Sequence, residues 1–181
     1  MIDTNPARAL NVVKRVVEMC DFIEHPAIKE AIEQKMVPRP LPPVVNAVVD
    51  ISVWVGLGTV GLWAALDAFA ERADFQKSRA AQCPTCKRSG CISARFAGYT
   101  HGNESRCLEE LEDLRHLYAH NYSGEADDKY FDPRHPRHVL APGTSMQLAS
   151  RAHFDGARLR LDLSHLRWYA STVRSVLERF S

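Results

Sequence analysis

From Ile51 to Leu66 the chain carries no charge, and no other feature constrains its fold as strongly. The run is about sixteen residues long, short of the roughly twenty that cross a bilayer as a helix, and Asp50 and Asp67 bracket it. A buried central helix is therefore expected, with a membrane span as the rival. "PRPLPP" at 38–43 cannot continue a helix and reads as a stiff connection leading into it. Within the run, Gly56-Leu57-Gly58-Thr59-Val60-Gly61 spells G-x-G-x-x-G, the pattern that lets backbone approach a pyrophosphate in dinucleotide folds. Such a fold also needs a second parallel strand with an acidic end about twenty residues on, and "DFQKSRAAQCPTC" supplies no strand there. The alternative is that these small residues let neighbouring helices pack close.

The flanking sequence is helical as well. Asn5-Pro6 reads as a cap followed by proline at the first helical position, and Leu10, Val13, Val17 and Cys20 recur at helical spacing, predicting a helix over 6–24. Pro26 interrupts it, and Ile28, Ile32 and Met36 suggest a second short helix. Glu104 to Ala119 is again helical, with Cys107, Leu111, Leu114 and Tyr118 on one stripe and Leu108 and Leu117 beside it. Two short alternating runs, Met146–Ser150 and Arg158–Leu163, flank Asp155-Gly156 and predict a small hairpin. Ser164 is the expected cap of a last helix carrying Leu166, Tyr169, Val173, Leu177 and Phe180. The expected fold class is thus mainly α: a bundle of four or five helices, with a polar cysteine-containing insertion over 76–103 and a hairpin before the C-terminal helix, in one domain over 1–181.

With 45% hydrophobic and 25% charged residues the chain can build a real core, and a net charge of +1 gives no overall field that favours nucleic acid or an anionic membrane. The charge is uneven: residues 133–181 hold eight Arg against Asp155, Asp162 and Glu178, a basic portion that either touches phosphates or forms a solvated face. The N-terminus has no h-region of a secretory signal, and five unevenly spaced Cys fit a reducing cytoplasm.

The densest chemistry lies in "LRHLYAHNY", residues 114–122, where Arg115, His116, His120, Asn121 and Tyr122 surround only Leu117, Tyr118 and Ala119. Arg and His often end helices because cations favour the negative pole of the dipole. Here the set is richer than that role needs. Arg115 and His120 are five apart, about 140° around a regular helix, so they converge only if the helix distorts or a partner helix supplies the opposite wall. Glu112, His116 and His120 share a face at four-residue spacing and could hold a metal, but the uncharged helix offers only Asp67 and Glu71 to complete a four-helix di-metal site.

Arg115-His116-x-x-x-His120-x-Tyr122 resembles the signature of HEPN domains: an Arg, commonly followed by Asn, Asp or His, then a His four to six residues after it, with a Tyr two residues beyond in a subset. The context also resembles that family, since the motif sits late on a helix preceded by a long apolar one. The resemblance implies a metal-independent endoribonuclease, acting as a two-fold homodimer whose motifs meet across the interface, of the kind found in toxin–antitoxin and anti-phage systems. His120 would take the proton of a ribose 2′-OH, Arg115 would hold the scissile phosphate, and His116 or Asn121 would orient them, leaving a 2′,3′-cyclic phosphate. Tyr122 would be a modification site for a nucleotidyltransferase-type antitoxin. RNA is the implied partner and the cytoplasm the implied location, with no membrane and no cofactor for catalysis. The family also holds members that bind RNA or protein without cutting, and a regulatory binding module is the alternative.

"CPTCKRSGC" places Cys83 and Cys86 at zinc-knuckle spacing, half of a site. Cys91 is the candidate third ligand, with His101 or Cys107 as the fourth. A structural zinc would order a polar loop of this length. Free thiols or a redox pair are the competing readings.

Overall fold

The computed structural model describes residues 5–33, 51–73, 90–120, 153–155 and 158–181; for some of these, His116 and His120 among them, it describes the backbone alone. The described chain is mainly helical. Helix α1 (Ala7–Glu24) leads directly into α2 (Pro26–Glu33), and the central helix α3 spans Ile51–Arg72. A short helix α4 (Ile92–Arg95) and a 3-10 turn (Ala97–Tyr99) precede α5 (Asn103–His120), and α6 (Leu163–Glu178) ends the chain. Ahead of α6, the backbone of β1 (His153–Asp155) pairs antiparallel with β2 (Arg158–Arg160), Asp155 opposite Arg158. The run expected to form a strand at 146–150 lies outside the described residues.

α1 starts at Ala7, one residue later than the Asn-Pro pair predicts, with Pro6 at the N-cap position; the Asn5 side-chain oxygen still accepts from the Ala7 N–H at 2.8 Å, satisfying one of the donors a helix start leaves without a partner. At the start of α6 the structure differs from expectation. Leu163 and Ser164 are already helical, and the cap is Asp162, whose carboxylate accepts from the backbone N–H groups of Ser164 and His165 at 2.8 and 3.1 Å. The His165 ring accepts in return from the Asp162 N–H, a reciprocal capping box. A carboxylate that reaches two donors outcompetes the hydroxyl of Ser164, which itself donates to Asp162. β2 therefore stops at Arg160, and Leu163 faces the core from the first turn of α6.

α3 and α6 each pack against the other and against both α1 and α5, so the core forms around this pair. Val13, Val16 and Cys20 from α1 meet Leu62, Leu66 and Phe69 of α3, Leu108, Leu111 and Leu114 of α5, and Leu166, Tyr169 and Val173 of α6 in one continuous cluster. By length and composition Val53–Arg72 could cross a membrane, a test that the core helix of a bundle also passes, and half of that span is buried.

Gly56, Gly58 and Gly61 all lie inside α3, so they open no phosphate-binding turn. Each faces a different neighbour. A Cβ on Gly56 would stand 2.6 Å from Cδ1 of Tyr118 on α5, one on Gly58 would run into the Leu166 side chain of α6, and one on Gly61 would meet Val16 of α1 at an ordinary 3.8 Å. Two of the three are close-approach points for flanking helices, which explains their cost to helix propensity.

Residues 92–99 belong to the polar stretch expected to be irregular, yet they fold. Ile92 and Phe96 enter the core, and Phe96 lies with Phe69 and Phe180 at centroid separations of 5.0 to 6.3 Å. Tyr99 adds a 4.5 Å contact with Phe180. These four aromatics fix the segment across the ends of α3 and α6.

Candidate functional site

The motif segment lies in the last turns of α5, which remains α-helical through His120. Positions 115 and 120 therefore stand about 140° apart around the helix, and no local distortion brings them onto one face of a single chain. The side chains of His116 and His120 are not among those described, and Asn121 and Tyr122 lie outside the described residues.

Arg115 is described in full. Half-exposed, its guanidinium carbon stands 4.1 Å from the centroid of the Trp63 ring on α3, within cation–π range. The same indole is fixed from its other end. Trp63 Nε1 donates to Glu112 Oε2 at 2.8 Å, and that oxygen also accepts from the Ile92 N–H at 3.2 Å. Glu112 lies one turn before Arg115 on α5 and is almost fully buried. The order Ile92–Glu112–Trp63–Arg115 thus links α4, α5 and α3 in a chain of contacts whose last member is the guanidinium.

Glu112 belongs to a run, "EELED", in which Glu109, Glu110, Glu112 and Asp113 are each 6 to 9% exposed. Burial of ionisable side chains requires partners. Glu109 accepts from Ser93 Oγ at 3.2 Å, and Ser93 in turn lies 3.4 Å from the Cys91 thiol. Nearby, the Arg95 guanidinium is enclosed by the bundle and pairs with Asp67 at 2.5 Å and Glu71 at 3.2 Å, two residues one turn apart on α3. Residues 91–95 therefore work as a short polar wedge between α3 and α5: backbone N–H, hydroxyl and guanidinium all point at carboxylates of the two long helices.

A second charged cluster closes the far end of α5. Arg179, at the C-cap of α6, donates to both carboxylate oxygens of Glu104 at 2.7 Å and to the Tyr99 carbonyl, and Ser175 donates to Glu104 at 3.1 Å. The Arg179 hydrogen bond is the main reason that the Glu104 carboxyl is held down at about 2. Arg167 reaches Asp21 and Glu24 of α1 at 2.7 and 2.6 Å. Two arginines of the basic C-terminal portion thus serve as clamps between helices.

Of the cysteine set, Cys83 and Cys86 lie outside the described residues. Cys91 is buried at the start of α4, while His101 is exposed, with its backbone N–H donating to Glu104 at 2.7 Å. Cys107 is fully enclosed in the core stripe, where burial pushes its thiol well up and Thr172 of α6 is its hydrogen-bonding neighbour. Among the described residues no three His, Cys, Asp or Glu side chains gather in a form that could hold a metal ion.

Sequence reasoning singled out Arg115 but not Trp63, Ser93 or Arg95. A signal was present: Asp67 and Glu71, one turn apart on an otherwise apolar helix, imply a cation facing them. What supplies it is an arginine in a segment whose folding depends on tertiary contacts. Compared with protein-family models, with curated proteins and with solved structures, the chain finds no match.

Proposed function

We propose that this chain is a metal-independent endoribonuclease of HEPN type, a cytoplasmic component of a toxin–antitoxin or anti-phage system that acts as a homodimer and cuts RNA by 2′-OH attack. The observation that carries the reading is the motif Arg115-His116-x-x-x-His120 on the last turns of a long helix that packs against the apolar central helix. In this reading His120 is the general base, Arg115 stabilises charge on the phosphate, and His116 or Asn121 orients the pair. Positions 115 and 120 diverge in one chain, so the site requires the α5 helices of two copies beside a two-fold axis. Tyr122 is the place where a nucleotidyltransferase-type antitoxin would modify the protein. The HEPN-like layout includes the hairpin ahead of α6, and a zinc held by Cys83, Cys86, Cys91 and one of His101 or Cys107 would brace the insertion. The enclosure of Cys107 favours His101 as the fourth ligand.

The divergence of positions 115 and 120 also favours a second reading, a non-catalytic module that binds RNA or protein through the same helix end. One assay separates the two. Purified protein is incubated with mixed cellular RNA in EDTA beside its His120→Ala and Arg115→Ala variants. The ribonuclease reading expects 2′,3′-cyclic phosphate ends, a loss of about 10²–10⁴-fold for His120→Ala, and a loss on the order of 3 kcal/mol in transition-state stabilisation for Arg115→Ala. Equal degradation by wild type and His120→Ala would identify a contaminant and leave the binding module.

A further inference from the structure

We infer that Trp63 and Glu112 are positioning residues for Arg115, a relay from the buried polar layer that fixes where the guanidinium meets a phosphate. The inference rests on the ribonuclease reading for the role of Arg115, and on geometry for the rest. An arginine on a helix surface has four side-chain torsions and loses much of its entropy when held in one place. Here the indole face supplies a flat seat 4.1 Å from the guanidinium carbon. The seat is itself held in place, because Trp63 Nε1 is bound at 2.8 Å to Glu112, and Glu112 is bound to the Ile92 N–H of α4 at 3.2 Å. Glu112 is almost fully buried whereas Arg115 is half-exposed, so the relay runs from a fixed interior to a group that an RNA backbone can reach. A carboxylate suits this task because negative charge on the shared oxygen strengthens both bonds, although a neutral amide oxygen of similar size could also take the two donors.

Seating on an aromatic face leaves the N–H edges of the guanidinium directed outward in its plane, and these edges are what a phosphate takes bidentately. Loss of the seat leaves Arg115 charged and present but held less closely in the geometry that a phosphate needs. Its contribution belongs to the transition state, so the effect falls on kcat and leaves KM nearly unchanged.

The test has two arms on the full chain. The first is independent of activity: the Arg115 Nε–Hε resonance, assigned by its loss in Arg115→Lys, should be shifted upfield by the indole ring. Trp63→Leu should return it to the position of an exposed arginine, Glu112→Ala should move it part of the way, and Glu112→Gln, which keeps an acceptor for the indole N–H, should largely restore it. The second arm is cleavage of a defined RNA in EDTA. Trp63→Leu should lower kcat about 10-fold, the scale of a partly desolvated cation–π contact, and should cause no further loss in an Arg115→Ala background. Circular dichroism confirms that each variant is folded. An unshifted Arg115 resonance in wild type, or one indifferent to Trp63→Leu, overturns the inference. So does a Trp63→Leu loss that persists undiminished without Arg115, since that is a general effect on the fold. A wild-type chain that cuts no RNA overturns the ribonuclease reading and the catalytic meaning of the relay, while the resonance alone then decides whether Trp63 and Glu112 hold Arg115.

Discussion

The two flanks of α3 are built on different principles. Towards α1 and α6 it presents Gly58, Gly61, Leu62 and Leu66 to aliphatic side chains such as Val16 and Leu166, and any arrangement that excludes water and fills the volume is favourable. Towards α4 and α5 it presents Trp63, Asp67 and Glu71 to Glu112 and Arg95, where each donor needs its own acceptor. The first flank is tolerant in composition and demanding in shape. The second is demanding in both, because a half-satisfied polar network is worse than an apolar core. The half-exposed Arg115 stands at the edge of the second flank, and a flank with one permitted arrangement is the better place to fix a catalytic group.

The largest test of that contrast is to strand Arg95. Its side chain is 3% exposed while those of Asp67 and Glu71 are about a third exposed. Neutralising both carboxylates in Asp67→Asn/Glu71→Gln leaves a buried charge with two neutral neighbours and should cost about 3–5 kcal/mol in urea unfolding. Arg95→Met removes the buried charge instead and leaves two carboxylates that water can reach, so it should cost no more than about 1 kcal/mol. Equal costs for the two variants would show that Arg95 is more hydrated than its burial implies, and the flanks would no longer differ in kind.

The next test concerns the clamp that ties the polar flank to α6. Glu104 is held at about 2 against an ordinary 4.5, chiefly by its hydrogen bond from Arg179. A carboxyl depressed in the folded state contributes stability above its unfolded value and loses it as the pH falls through the folded one. The contribution should therefore be complete above pH 4.5 and fade towards pH 2. Its size is about 2 kcal/mol once screening at the partly exposed Arg179 is allowed for. Unfolding measured across that window should show the acid loss in wild type and a flatter limb in Glu104→Gln.

These contrasts also mark what was legible in the sequence. Period and spacing gave the stripe Cys107, Leu111, Leu114 and Tyr118, and all four are buried. The start of α1 was readable to within one residue, because a short polar side chain before proline leaves few alternatives. The acids of "EELED" were not readable as buried, since a charge run normally marks a solvated face and the partners of Glu109 and Glu112 come from the wedge at 91–95 and from Trp63, far off in sequence. That wedge was hidden for the same reason: Ile92 and Phe96 are two apolar residues in a polar stretch, with no periodicity until α3, α5 and α6 surround them. The cap of α6 was misplaced by two residues because Asp162 and Ser164 are both good capping residues, and the reciprocal bond with His165 decides between them only in three dimensions.

The smallest effects test shape at the glycines of α3, Gly58 and Gly61 on the tolerant flank and Gly56 on the side towards α5, and their sign matters more than their size. Replacing a helical glycine with alanine gains about 1 kcal/mol of propensity wherever the methyl group has room. Gly61→Ala places its Cβ 3.8 Å from Val16 and should be stabilising by up to that amount. Gly58→Ala drives the same atom into the side chain of Leu166, which is fully buried, and overpacking of this kind costs about 1–3 kcal/mol. The net for Gly58→Ala is therefore a loss of about 1 kcal/mol. Gly56→Ala, 2.6 Å from the Tyr118 ring, should lie between the two, because an aromatic edge near the end of α5 can turn aside more readily than a leucine in the centre. Thermal unfolding of the three single variants would give the order Gly61→Ala, wild type, Gly56→Ala, Gly58→Ala from most to least stable. A uniform gain at all three positions would mean that the helices sit farther apart than described here, and that the glycines of α3 serve no close approach.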